Sequence, residues 1–596
     1  MRLFGKILLA FLAVLGALAL TGAVVAWKAV SSFGPSHPDV PDATVLVVDF
    51  TTPFRDGGHG NGGGLFPAQP TLRGVIDALD AAAEDDSIKA VIGRFGSDDR
   101  PMAQAQELRA AIARLRAAGK PTYAFADSLG DMGGSPATYY LASAFEKIWL
   151  QPSGMLGLNG FQAEVPFAHK ALTDLGITAE FGQRWEYKNA MDSLIRDDMS
   201  APQRASYDRL FQSWQMQVIE TVAADRRIDK AKVNSLMQHP PMFAAEAKTA
   251  GLVDATGYWD ELMTAVEDAT GTRSHFRLDD YAASLPEPGE PHGTVIAVIE
   301  AQGNVHRGTS EVDGSGLYSS IGSDTTAEAI RNAIDDPKVK AIVLRINSPG
   351  GDYIAADGIW RELMRARDKR LPVIATLGDV AASGGYFIAM PARKIVAQPG
   401  TITGSIGVFA GKPVLTDLWA KLGIRWDTVQ TSPNATLWSP NRPFTPAERQ
   451  WFDRMLDSIY ADFSGKAAAN RGLTAAQMDQ VARGRIWTGA DAKAIGLVDE
   501  LGDFSTAVRI ARSEAGIADD ADVSLVPYPA PPHGLEAVLQ ALLGSKLPGL
   551  FSSLSRLQAV LGPVLGLAEQ VSTAIDPRGN TVLATGLPGV GTAPRH

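Results

Sequence analysis

Ser383 stands in GDVAASGGYFIA (Gly378 to Ala389), after the apolar run PVIATL and ahead of a second apolar run of helical character. That frame puts its hydroxyl in a tight turn at a helix N-terminus. Unsatisfied N–H groups and the positive end of the helix dipole there favour the negative oxygen that builds up in acyl transfer. Gly384 and Gly385 leave the backbone open to close approach by a substrate. Taken alone, the segment also reads as a plain helix cap, because serine is a favoured N-cap residue. INSPGG (Ile346 to Gly351) ends another apolar run, and Pro349 fixes the turn before two glycines that can offer a second N–H to the same oxyanion, Gly351 the better placed. A lone Pro-Gly-Gly is ordinarily just a turn. Lys188 lies in QRWEYKNAMDSLIRDDMS (Gln183 to Ser200), flanked by Trp185, Tyr187 and Met191. Most lysines are solvated surface charges. One shielded by aromatic rings has its pKa lowered by desolvation, and a neutral amine can take a proton from a serine hydroxyl without any histidine.

An internal repeat links these three segments. IKAVIGRF, YYLASAFEKIWLQPSG, DLGI and AKTAGLVD, between positions 88 and 254, return as VKAIVLRI, GYFIAMPARKIVAQPG, KLGI and AKAIGLVD between 339 and 499, with an offset that drifts only from 251 to 245. The halves read as a tandem duplication. Their differences are complementary. Where the second copy has its glycine pair the first has Gly96-Ser97-Asp98-Asp99-Arg100, and Ser383 aligns near Pro136; where the first copy has Lys188 the second has TSPNATLWSP, with no lysine. One copy thus offers the candidate base and the other the nucleophile and oxyanion donors. The sequence leaves open whether they meet within one chain or between two.

Within each copy, short apolar runs such as AIVLRIN and PVIATLG alternate with helical patterns such as IAADGIWRELMRARDKR, which predicts α/β domains with mixed or parallel sheets. The expected organisation is an anchor at 1–28, a tether at 29–43, a first repeat at 44–285, a linker at 286–293, a second repeat at 294–525 and a tail at 526–596. DGGHGNGGG (Asp56 to Gly64) reads as a flexible, solvent-exposed loop, since no strand-to-helix frame with a Lys-Ser pair surrounds it. The tail carries an apolar, helix-prone stretch from Leu535 to Ile575, expected to pack on protein.

Composition narrows the function. Apolar residues at 45% and charged residues at 20% of 596 residues describe a globular protein with sizeable cores. A net charge of −11 without any basic run argues against a nucleic-acid partner. There is no cysteine, and the nine histidines are scattered without an HExxH, so neither a metal site nor a cofactor is expected. Ile7 to Trp27 is an uncharged apolar run of 21 residues behind Arg2 and Lys6, long enough to span a hydrocarbon core of about 30 Å. It ends in Trp27-Lys28, which favours a retained transmembrane helix over a cleaved leader, with the rest of the chain on the outer side.

The motifs VKAIVLRINSPGG, AASGGY, TGSIGVF, EYKNAMDSLIRDDMS and IWTGADAKAIGLVDELGDF together resemble the signal peptide peptidase A (protease IV) family in its long, tandem-domain bacterial form, over about Thr44 to Asp522. The resemblance implies ClpP/crotonase-like domains and a serine protease with a Ser383–Lys188 dyad. It also implies an oxyanion hole from the Gly351 and Gly384 N–H groups and a Ser405 that hydrogen-bonds and orients the lysine. Remnant signal peptides and other extended apolar peptides would be the substrates. The assembly would be a bowl-shaped homotetramer on the bacterial inner membrane, with its catalytic part in the periplasm. Two departures from the family pattern, Asp352-Tyr353 after the glycines and Asp379 four residues before Ser383, are expected to line substrate pockets, and Asp379 to favour a protonated Lys188 if close to it. The rivals are a crotonase-type acyl-CoA enzyme and a catalytically inactive oligomeric scaffold.

Overall fold

The computed structural model describes residues 38–57, 70–96, 100–130, 136–285, 291, 293–311, 319–518, 520–529 and 582–583. The apolar run Ile7–Trp27 and the stretch Leu535–Ile575 lie outside them, as do most of the 286–293 linker and most of the glycine-rich segment. Among the described residues no helix is long and apolar enough to cross a membrane.

The first half builds a parallel sheet from β1 (Thr44–Phe50), β2 (Ile88–Phe95), β3 (Thr122–Ala126), β4 (Lys147–Leu150), β6 (Ala255–Thr256) and β7 (His275–Arg277), while β5 (Thr178–Arg184) stands apart. The second half contains β8 (Thr294–Gln302), β9 (Val339–Ser348), β10 (Val373–Ala382), β11 (Lys394–Ala397), β12 (Ile402–Gly404), β13 (Val408–Val414), β14 (Ile486–Thr488), β15 (Glu500–Leu501) and β16 (Val523–Tyr528). The first sheet runs β6-β4-β3-β2-β1-β7, and the matching path in the second runs β15-β11-β10-β9-β8-β16, all pairs parallel. Strand order is therefore repeated position for position. Continuous apolar runs such as AVI in β2 and AIVL in β9 are buried because helices cover both faces of a parallel sheet.

The repeated AKxxGLVD motif closes each copy in the same way. Tyr139 donates its hydroxyl to Leu252 O at 2.6 Å, and Tyr386 donates to Leu497 O at 2.9 Å. Asp254 accepts from Ile148 N and is gripped by Arg226; Asp499 accepts from Ile395 N and is gripped by Arg471. Those arginines end two long helices of 26 residues, Ala201–Arg226 and Pro446–Arg471, whose N-termini are capped by Ser200 and Thr445.

Two features weld the halves. β5 leaves its own sheet and pairs antiparallel with β13 of the other half, from Thr178 opposite Val414 to Arg184 opposite Val408. The second weld is a buried charge cluster. Arg345 on β9 donates to both oxygens of Asp56 and, at 2.7 Å, to Glu107 on the helix Met102–Ala117. Asp56 thus departs from the expectation of an exposed loop. Composition signals flexibility there, but Asp56 is one of the two carboxylates that pair with the buried Arg345, and Gly378 makes room, since a Cβ on it would meet Asp56 Oδ2 at 2.4 Å.

Asp379 faces the same cluster, where Gln104 N–H donates to it at 3.0 Å. Desolvation first, and then the charge of Asp56, push its carboxyl up to about 7 from 3.8. The folded chain therefore holds this proton more tightly than the unfolded chain does. The stabilisation is complete below about pH 4 and is lost as pH rises through about 7. Asp379→Asn is expected to decline less in Tm between about pH 5 and about pH 8 than the parent, measured by thermal unfolding across that range; equal declines would show that Asp379 does not titrate there.

Candidate active site

Ser383 is the residue between β10 and the short helix Gly384–Ala389. Its φ of +56° is one that L-residues other than glycine seldom adopt, at a cost of about 1–3 kcal/mol. The conformation is held from both sides: Ser383 N donates to Gly404 O at 2.8 Å, and Phe387 N donates to Ser383 O at 2.8 Å. The strand β12, which supplies Gly404, runs alongside Val380–Ala382. A serine held in this way presents its hydroxyl rather than capping the helix, and no cap bond from its side chain is made.

Lys188 enters from the first half, directly after β5. Its side chain is 0% exposed, as is that of Ser383. Nζ lies 2.8 Å from Ser383 Oγ, 2.9 Å from Ser405 O and 2.9 Å from Ser405 Oγ, all within one chain. Burial holds its pKa well below 10.5, and no carboxylate offsets that effect. Every partner is uncharged, so nothing among them opposes the shift toward the neutral amine. A neutral amine has two N–H bonds, which Ser405 O and Oγ accept, and one lone pair, which is left for the proton of Ser383. Ser405 is fixed in turn by its own N–H, donated to Arg485 O at 2.7 Å, with φ at +52°.

The glycines converge on the same point. A Cβ on Gly384 would lie 3.0 Å from Gly351 N, so the two backbones face each other beside Ser383. Gly351 has φ of +155°, and a Cβ there would lie 2.0 Å from Val305 O; no other residue fits. Thus Ser383, Lys188, Ser405, Gly351 and Gly384 stand around one centre. The edge of Gly351–Asp352 also carries a short antiparallel strand, Val582–Leu583, from the end of the chain.

The two departures take other roles than pocket lining. Asp352 is buried, caps the following helix by accepting from Ala355 N at 2.7 Å, and pairs with Arg307. Tyr353 donates to Asp462 and stacks edge-on against Phe387. Asp379 turns toward the interdomain cluster and is no part of what sets the Lys188 pKa. Gly484 is a residue that sequence reasoning passed over. At φ +86° it packs beneath the lysine, where a Cβ would meet Lys188 N at 2.5 Å and Lys188 Cβ at 2.6 Å. An Arg-Gly-Arg at the end of a helical pattern signals a left-handed turn, but nothing in it announces a contact with residue 188.

The family model of peptidase family S49 matches this chain twice, at residues 114–273 and 365–518. Protease 4 of Salmonella typhi is 35% identical over 490 residues, which cover 80% of this chain and 76% of the relative. The chloroplastic serine protease SPPA of Arabidopsis thaliana is 32% identical over 70% of this chain and 62% of its own length. Among solved structures, a ClpP1 mutant from Listeria monocytogenes aligns with 35% of this chain and 94% of its own at 13% identity, with a TM-score of 0.23.

Gly484→Ala is expected to displace Lys188 and to lower peptidase turnover by roughly a hundredfold, the usual penalty for a misplacement on the order of 1 Å. Hydrolysis of a fluorogenic peptide, read beside the Tm, checks this. Full activity in a folded variant would mean that the lysine does not depend on this turn.

Proposed function

The chain belongs to peptidase family S49 and is a serine protease of the Protease 4 type, and from that premise we propose that it hydrolyses extended apolar peptides through a Ser383–Lys188 dyad. The observation that carries this reading is the buried, uncharged contact of 2.8 Å between Lys188 Nζ and Ser383 Oγ.

In the proposed reaction Lys188 accepts the proton of Ser383 as Oγ attacks the scissile carbonyl. The Gly351 and Gly384 N–H groups stabilise the oxyanion, and Lys188 then gives its proton to the departing amine. Water repeats the sequence on the acyl-enzyme. Ser405 orients the amine and keeps two of its hydrogen atoms occupied. All of these groups belong to side chains and backbone of this chain. The edge of Gly351–Asp352 suits an extended substrate, since it already pairs with a strand running antiparallel.

The wider reading follows the relatives and the N-terminal apolar run. Each half is a ClpP/crotonase-like domain, 44–285 supplying the lysine and 294–525 the serine. Residues 1–28 anchor the chain in the bacterial inner membrane as a single pass, and the catalytic part faces the periplasm as a homotetramer. Remnant signal peptides, apolar and extended, are the substrates that such a location would supply.

Ser383→Ala and Lys188→Ala are each expected to lower kcat by roughly 10⁴-fold or more, with the double variant no worse than either, as for groups that act as a unit. A Lys188→Ala variant that retains turnover in a peptide assay would sink the dyad. The pH profile supplies a second check. Activity needs the neutral amine, so kcat/KM should rise with pH along a limb well below 10.5. A limb at the ordinary lysine value would show that burial does not set the protonation state.

A further inference from the structure

The pairing of β5 with β13 joins the first half of the chain to the second, and the duplication contains a reciprocal pair that the single chain leaves open. Residue by residue, the counterpart of each member lies 247 positions away: Gly176 matches Gly423, Pro166 matches Pro413, and the helix His169–Leu175 matches Thr416–Lys421. On that spacing the first-half counterpart of β13 is 161–167 (FQAEVPF). The second-half counterpart of β5 is 425–431 (RWDTVQT). Neither is a strand in the structure. Among the described residues, no backbone group of 159–167 or 425–431 bonds to another backbone group.

Both segments are prepared for a partner. Along 161–167 exposure alternates residue by residue, as it does in a strand with one covered face. Its inward residues Ala163 and Val165 pack with Tyr207 and Phe211 of the helix Ala201–Arg226. Ala410 of β13 packs in the same core as Phe452 and Leu456 of the helix Pro446–Arg471. The other segment projects from the surface with Leu422, Ile424, Trp426 and Val429 exposed, Val429 fully so. Unpaired strand edges bearing apolar side chains are what folded chains cover.

We propose that 425–431 of one copy of this chain pairs antiparallel with 161–167 of the next, reproducing between subunits the β5–β13 ladder found within each. The register carries over from the internal pair. Ala410 opposite Gly182 places Ala163 opposite Val429, and Lys412 opposite Glu180 places Val165 opposite Asp427. Val429 then settles over Tyr207 and Phe211 of the neighbour, as Gly182 lies against Phe452 and Leu456 within the chain. The two surfaces are different, so the contact is head to tail, the kind that forms a closed ring when the rotation between neighbours divides a full turn. The inference specifies the contact behind the homotetramer proposed above and rests on that reading for the number of subunits. It also adds a wall to the active site, because Ala163 and Val165 pack with Val380 and Ala382, the residues leading into Ser383.

The chain has no cysteine, so introduced ones report without background. The full chain in detergent, carrying Ala163→Cys and Val429→Cys together, is oxidised and run on a non-reducing gel, with mass by light scattering in parallel. A ladder of covalent oligomers from this variant, and none from Glu164→Cys combined with Val429→Cys, whose side chains would lie on opposite faces, is the expected result. An oligomer by light scattering without that cross-link would overturn this interface while leaving the assembly standing. A monomer would overturn both.

Discussion

Everything at the active centre depends on keeping one lysine amine out of water with no negative charge beside it. A carboxylate within a few ångströms would favour the ammonium form and, in the proposed mechanism, leave Ser383 without a base. The fold meets this constraint by surrounding Nζ with a hydroxyl, a carbonyl and a second hydroxyl, and by routing its acidic residues elsewhere. Asp56, Glu107 and Asp379 gather around Arg345, on the interdomain side of the strand that leads to Ser383. The same strand therefore passes an acidic cluster, to which it contributes Asp379, and ends uncharged at Ser383.

The duplication explains how such a centre could be assembled from ordinary parts. Each half retains the full sheet order and the tyrosine, arginine and aspartate contacts that close it. Only the connecting segments differ: one half keeps a glycine pair and a buried serine, the other a lysine after an emigrant strand. That strand, β5, is what carries Lys188 across the boundary, and Gly484 is the small residue that lets the lysine backbone lie flat against the second half.

Much of this was legible in the amino-acid order. Parallel strands announced themselves as uninterrupted apolar runs, and Ser383, Lys188 and the Gly351 turn could be picked out because the copies differ there and agree elsewhere, whereas Ser405 and the oxyanion role of Gly384 came only with the family resemblance. What escaped was contact between distant segments. Asp56 sits at the head of a glycine run whose composition speaks of flexibility, yet its partner Arg345 is 289 positions away. Asp352 looked like a pocket residue because it follows the glycine pair, but helix capping claims its carboxylate. Asp379 lies close to Ser383 along the chain, yet its carboxylate accepts from Gln104 N and sits among Asp56, Glu107 and Arg345. Periodicity reports which face a residue occupies, and it is silent on what waits opposite.

The exchange of β5 has a temporal consequence for a protease that ribosomes make from its N-terminus onward. The lysine-bearing strand emerges more than two hundred residues before the ladder that receives it. On the proposed dyad, a half-made chain holds an amine without its hydroxyl, and hydrolytic power arises only once the second half has been synthesised, so the order of synthesis itself keeps the growing chain inactive.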